Sequence, residues 1–449
     1  MSVRRWLRDV GELTPPPVPD DGCPNLDWAT SGAMALTGHG DGPPVVSPGS
    51  MWPLLREAGA ALTWLSTRIG APVHPDLALL LTGRAGARNL TRRGRTSAGG
   101  ATRLLEASDG WCALTLSRPD DLELVPAILG RAEMPDPWAA LTAAVRGTKA
   151  DEFAAHVRQF GLPVAALAPE FTAVPWRVTR IAPPDRALRL DRALVVDLSS
   201  LWAGPLCARL LGQAGARIVK VESTRRPDGA RSGSRTFYDW LHAGHESVAV
   251  DFTTGEGRAA LAELVRAADV VIEASRPRAL GQLGLAPERL GHRAGKVWVS
   301  ITGYGRRHAD RVAFGDDAAV AGGLVGWSGG EPVFCADAVA DPLTGLVAAL
   351  GVMGSVAVGG GQLIDVSMRD VAAVFAGAGP VGHGPHTVSD GKVECSALGR
   401  TAPVRPPRTP APAGRAAAMG ADTARVLAEV AVTREPGVAA DRDLDASAR

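Results

Sequence analysis

The chain has five cysteines in 449 residues, Cys23, Cys112, Cys207, Cys335 and Cys395, and no two of them stand in a Cys-x-x-Cys pair. Without that spacing the sequence offers no zinc knuckle, and no metal is expected. The odd number and wide scatter argue against a disulfide framework and for a reducing compartment, the cytoplasm. An excess of either charge is missing too: 48 Lys plus Arg against 47 Asp plus Glu leave a net charge of +1. Nucleic-acid binders normally show a basic excess, so no such partner is expected. The opening MSVRRWLRDVGEL has Arg4 and Arg5 but no apolar stretch behind them, which is unlike a secretory signal. No long uncharged apolar run occurs, so no membrane partner is expected. The least polar stretch, 342–360, is rich in Gly and Ala and reads as a buried helix.

What is present is a chain long enough for two or three domains. It is 46% hydrophobic, ample for a core. Residues 13–50 are rich in Pro, Gly and Asp. Helices are expected across 51–90, broken at 70–72 and at Gly83, before the basic, Gly-rich loop TRRGRTSAGG at 91–100. In 101–170, GWCALTLS and LPVAAL read as strands, and LELVPAIL, WAALTAAV and DEFAAHVRQF read as helices. Residues 171–190 carry Pro175, Pro183 and Pro184 and read as a linker. Beyond them the pattern alternates regularly, with strands at 193–197, 217–222, 247–251, 269–273 and 297–301 and a helix at 257–268. That is the signature of a doubly wound parallel α/β sheet. A helix at 342–357, a strand at 362–368 and a late helix near 421–431 complete the reading. DWATSGAMALTGHGDGPP at 27–44 echoes DAAVAGGLVGWSGGEPV at 317–333 in its spacing of acid, small residues and terminal turn.

Two stretches carry the chemistry. ALVVDLSSLWAGPLCARLLGQAGARIVKVE, 193–222, is one βαβ unit, with the Gly204-Pro205 turn after its first strand and Gly215 before its second. An open sheet places its ligand at the carboxyl ends of such strands. FCADAVADPLTG, 334–345, puts Asp341 at the start of a helix, four residues after Asp337. By spacing alone either aspartate is as readily a helix cap as a reactive group.

These segments together resemble the class III (CaiB/BaiF-type) coenzyme A transferases. The resemblance runs in order through the 193–222 unit, then SVAVDFTTGEGRAALAELVRAADVVIEASRPRALGQLGL, SITGYG, D-P-L-T-G at 341–345, and GQLIDVSMRD. It extends into PVRPPRTPAPAGRAAAMGADTARVLAEV and covers most of 193–430. It implies a family III fold: a Rossmann-like sheet domain at 190–378 with a smaller α+β domain at 96–178. The smaller domain stands ahead of the sheet domain where the family has it behind, so the order looks rearranged or partly duplicated. A truncated first copy would fill 1–95, and 379–449 would be a Pro- and Arg-rich closing segment. The resemblance further implies coenzyme A as acyl-CoA, a small carboxylic acid as acceptor, an interlocked homodimer, and Asp341 as the nucleophile. A helix N-terminus would keep that carboxylate ionised. CoA would contact Ser200, Leu201, Trp202, Ala203, Arg225, Arg276 and Arg278.

The chain departs from the family in four places. Racemases of the superfamily have Gly-His-Asp where this chain reads Gly315-Asp316-Asp317, which argues against racemisation unless Asp316 substitutes for the histidine. Gly244-His245 replaces a dipeptide ending in lysine. Ser223 and Thr224 follow Glu222, with Arg225 and Arg226 displaced beyond them. Gln282 stands where arginine is common. Asp316, Asp337 and His245 are therefore further site candidates, with His242 and His245 read as surface residues. The expected function is CoA transfer. An acyl-CoA racemase and a degenerate, non-catalytic partner subunit are the alternatives.

Overall fold

The computed structural model describes residues 2–19, 22–49, 51–131, 134–167, 172, 174–379 and 384–432. Strands are numbered along the chain. β1 (Thr102–Ala107), β2 (Gly110–Thr115) and β3 (Val164–Ala166) form an antiparallel sheet. Its inward side chains, Leu105, Leu114 and Val164, pack with Leu141, Phe153 and Val157 of two helices, Pro137–Val145 and Ala150–Arg158. The strand and helix expectations for 101–170 hold, and β1 is an addition to them.

β4 (Trp176–Arg180), β5 (Leu194–Asp197), β6 (Arg217–Ser223), β7 (Glu246–Val250), β8 (Val270–Glu273) and β9 (Val297–Thr302) belong to the large sheet. After the hairpin β10 (Gly326–Ser328) and β11 (Glu331–Val333), β12 (Gln362–Ser367) joins it. The order is β4-β12-β9-β8-β5-β6-β7, parallel throughout except for β4 at the edge. The stretch 171–190 is thus more than a linker: Trp176–Arg180 closes the sheet antiparallel to β12. Proline flanks this strand but does not enter it, so its ladder bonds are kept. The opposite edge, β7, is covered by the C-terminal segment: Ser247 N–H donates to Asp422 and Ala249 N–H to Thr423 Oγ1. Covering an edge removes a site of unwanted strand pairing. β13 (His386–Ser389), β14 (Lys392–Cys395) and β15 (Arg400–Pro403) form a third antiparallel sheet that the reading of a Pro- and Arg-rich tail missed. The late helix is Thr423–Val432.

Helix Ala340–Ala357 is apolar all round, as a helix surrounded by protein must be. It is long and apolar enough to cross a membrane, yet 89% of it is buried inside the fold. It lies beside helix Ala203–Gln213, and Gly345 permits the approach: a Cβ there would stand 2.7 Å from the Ala203 carbonyl oxygen. Trp6 and Leu7 of helix Val3–Gly11 and Leu55 and Leu62 of helix Met51–Ile69 share its core. Helix Leu77–Ala87 follows, and Gly83 lies inside it without the expected break.

Candidate active site

The sheet changes direction between β5 and β8: from β5 the chain winds outward through β6 and β7, and from β8 through β9 and β12. Ligands of open α/β sheets sit outside the carboxyl ends of the strands at such a switch point. The loop after β5 carries Ser200, Leu201, Trp202 and Ala203; the loop after β8 carries Arg276 and Arg278. Leu201 holds φ 71°, a left-handed conformation unusual for a non-glycine residue. Its N–H donates to Asp228 Oδ1 at 3.0 Å. Buried Lys220 pairs with Asp228 at 2.9 Å and donates to the Ser199 carbonyl at 3.0 Å. The loop is therefore held from beneath, with Ser200 and Leu201 exposed on top.

Trp202 is buried, with its face toward the Arg84 guanidinium at 5.1 Å and an edge-on contact to Phe237 at 5.1 Å. Arg84 comes from helix Leu77–Ala87 in the N-terminal region. It binds Asp337 at two points, Nε to Oδ2 at 2.9 Å and Nη2 to Oδ1 at 2.5 Å. Asp316 and Asp341 also act on its charge. Burial alone would lower the Arg84 pKa, but Asp337 with Asp316 and Asp341 more than offsets it, and the net shift is upward. Sequence reasoning missed Arg84. The available signal was its being the sole charge in the apolar helix LALLLTGRAGA.

Asp341 lies in the first turn of helix Ala340–Ala357 and is half-buried. The loop before it is tightly wound: Ala336 and Ala338 take φ of 54° and 43°. Asp316 accepts from Ala338 N–H at 3.0 Å, which braces that loop. Gly315 N–H donates to the Asp341 carboxylate. A Cβ at Gly315 would collide with the Ala338 carbonyl oxygen and the Asp341 carboxylate, so only glycine fits there. The small sheet supplies a third side. Thr115 Oγ1 donates to Asp317 at 3.1 Å, and Thr102 Oγ1 reaches Asp316 at 3.5 Å.

Three carboxylates thus surround one guanidinium, and all cannot ionise freely. Burial raises Asp341 to about 7; Arg84 opposes the rise, while Asp316 and Asp337 add to it. Burial and the Asp337 charge raise Asp316 to about 6 against Arg84. The expectation that the helix N-terminus holds Asp341 fully ionised at neutral pH is corrected: desolvation and like charge prevail. Asp337 is occupied in its two-point ion pair with Arg84. Asp317 is fully buried, and burial takes it to about 8.

The remaining sequence candidates lie elsewhere or are engaged. Arg225 is paired with Asp251 at 3.1 Å and Arg278 with Asp310 at 3.6 Å. Arg276 is exposed at the start of helix Pro277–Gln282. His242 and His245 are not surface residues. They are 2% and 9% exposed, His242 packs on Tyr238, and the two rings meet edge to face. Burial, with Lys220 nearby, drives both pKa values down, that of His245 to about 3, so both are neutral.

Residues 190–444 match the model of CoA-transferase family III. The chain is similar to the succinyl-CoA–D-citramalate CoA-transferase of Chloroflexus aurantiacus, 30% identical over 40% of this chain and 49% of that one. It is also similar to the succinate–glutarate CoA-transferase of Agrobacterium fabrum, 31% identical over 43% and 54%. The human alpha-methylacyl-CoA racemase is 32% identical over 42% and 50%. The chain spans about half the length of these curated relatives. Among solved structures, a CaiB/BaiF family protein from Brucella suis is 30% identical over 41% of this chain and 54% of that one, with a TM-score of 0.38.

Proposed function

This chain belongs to CoA-transferase family III, and on that footing we propose that it moves CoA between an acyl-CoA and a carboxylic acid through a covalent intermediate on Asp341. The observation that carries the reading is the placement of Asp341. It is a half-buried carboxylate at a helix N-terminus, beside the Gly315 N–H and within the field of Arg84.

In this reading an Asp341 oxygen attacks the thioester carbonyl carbon of the donor, the C–S bond breaks, and CoA leaves as thiolate. The product is a mixed anhydride. The thiolate attacks the aspartyl carbonyl, giving an aspartyl-CoA thioester and releasing the donor acid. The acceptor carboxylate attacks that thioester, expelling CoA again, and the thiolate returns to the acceptor acyl carbon, restoring Asp341. Each attack builds an oxyanion, which the Gly315 N–H and the Arg84 charge are suited to stabilise.

Coenzyme A would lie across the switch point on Ser200, Leu201 and Ala203, with Arg276 free for a phosphate. Arg225 and Arg278 would exchange their present partners for phosphate, and Trp202 would act from beneath through Arg84. Two chains would interlock as a homodimer in the cytoplasm. Light scattering on the eluted protein tests the dimer.

The test of function is an assay of a panel of acyl-CoA donors against dicarboxylate acceptors, read as new acyl-CoA. Acceptor-dependent product supports transfer. Deuterium entering the α-carbon of a 2-methylacyl-CoA without acceptor would favour racemisation. That second reading rests on the raised pair Asp316 and Asp341, two acid/base groups around one guanidinium. Failure to bind CoA at all would favour a non-catalytic partner subunit, a reading that the ion-paired Arg225 and Arg278 support.

A further inference from the structure

Cysteine spacing along the chain offers no metal site, but the fold brings Cys23, His386 and Cys395 together. Cys23 stands at the N-cap of helix Pro24–Ser31. His386 and Cys395 are direct partners across β13 and β14, so their side chains share one face. The C-terminal chain then crosses the same helix, where Arg405 N–H donates to the Ala29 carbonyl at 2.9 Å. Cys23 Sγ lies 3.0 Å from His386 Nε2, and the three ligand atoms all lie within 4.8 Å of one another.

We propose that these three residues hold a zinc ion that clasps the N-terminal region to the C-terminal sheet. Zn–S bonds near 2.3 Å and Zn–N bonds near 2.0 Å put tetrahedral ligand atoms roughly 3.5–3.8 Å apart, so Cys23 Sγ and His386 Nε2 open by about 0.5 Å while the wider separations close by up to about 1 Å. Two thiolates and an imidazole select zinc over the hard cations magnesium and calcium. Cys23 and Cys395 are buried, while His386 is only half-buried, which leaves an open side for a water as fourth ligand. Asn25 orients the ring: its Nδ2 lies 3.1 Å from His386 Nδ1, and its Oδ1 accepts from Ser47 N–H at 3.0 Å. Metal on Nε2 leaves the ring proton on Nδ1, so the Asn25 amide turns its oxygen there and gives up the bond from Ser47 N–H. An aspartate at this position would accept from the ring and from Ser47 together.

The experiment is elemental analysis of the full chain, purified under reducing conditions without chelator or metal-affinity resin. One zinc per chain is expected, falling below a tenth in Cys395→Ser and His386→Ala. Because either variant can fail through folding, the wild type is also stripped and refilled with cobalt(II). A near-ultraviolet thiolate-to-cobalt band is expected, together with a Tm that falls on stripping and recovers on refilling. Asn25→Asp is expected to hold zinc at least as tightly as the wild type. A wild-type protein that carries no zinc, and whose Tm responds to neither chelator nor added zinc, overturns the proposal. So does a non-reducing peptide map that shows Cys23 joined to Cys395 by a disulfide.

Discussion

Arg84 and Asp337 form a two-point ion pair, at 2.9 and 2.5 Å, between residues 253 positions apart. One partner belongs to a helix of the N-terminal region, and the other to the loop that delivers Asp341. The pair fixes where that loop stands, and the same guanidinium sets the charge that Asp341 feels. Arg84→Met leaves Asp337 buried without its partner and is expected to cost about 3–5 kcal/mol of stability. It also removes a charge that lowers the Asp341 pKa. Arg84→Lys keeps the charge but not the two-point geometry, so it should fold and transfer slowly. Urea unfolding and transfer rates of the two variants check this.

The pH dependence has a definite sign. A carboxylate must be ionised to attack, and burial with neighbouring charge holds Asp341 at about 7. Transfer, read as kcat/KM, should therefore be near its plateau at pH 8 and fall about tenfold for each unit below pH 6. In Arg84→Lys the midpoint should move upward as the charge fits less closely. A profile flat from pH 5 to pH 8 would contradict the raised value.

Gly315→Ala tests geometry apart from charge. The added Cβ meets the Asp341 carboxylate and the Ala338 carbonyl, and one of them has to move. A displacement of about 1 Å at a reacting group costs on the order of 100-fold in rate. The expected variant is folded, binds CoA, and has kcat reduced by about that factor.

Much of the fold was legible in the sequence. Six of the sheet's seven strands stand where β-branched runs and Gly turns placed them, because a parallel sheet buried on both faces writes itself as short apolar blocks. β4 was hidden among prolines, and β13 to β15 among polar residues of a small, half-exposed sheet. Asp341 was singled out through its motif. Arg84, Thr102 and Thr115 were not, because the contacts that define them cross 200 residues or more of chain. The same distance hid the grouping of Cys23 with His386 and Cys395. His242 and His245 looked like turn residues and proved to be buried, since a Gly turn says nothing of what packs over it.

Asp317 should make the fold weaker as pH rises. Its carboxyl is fully buried, Oδ2 has no partner, and its native pKa of about 8 stands above the unfolded value near 4. The native state therefore keeps a proton that the unfolded chain releases. The stability this contributes is fully present below pH 4 and is lost as pH rises toward 8. Asp317→Asn keeps the acceptor for Thr115 and Phe314. It is expected to match the wild type at pH 4 and exceed it at pH 8 by a few kcal/mol on the order of the linkage. Parallel Tm curves for the two proteins would rule this out.

The most direct measurement is mass spectrometry of the peptide carrying Asp341 after incubation with acyl-CoA and hydroxylamine. An aspartyl-CoA thioester is captured by hydroxylamine as a hydroxamate, which adds a fixed mass to one residue. The expected result is that mass on Asp341, dependent on acyl-CoA and absent from Asp341→Asn, with Asp316 and Asp337 unmodified. Transfer activity in a protein whose Asp341 stays unmodified, or undiminished activity in Asp341→Asn, would contradict the covalent role assigned to it.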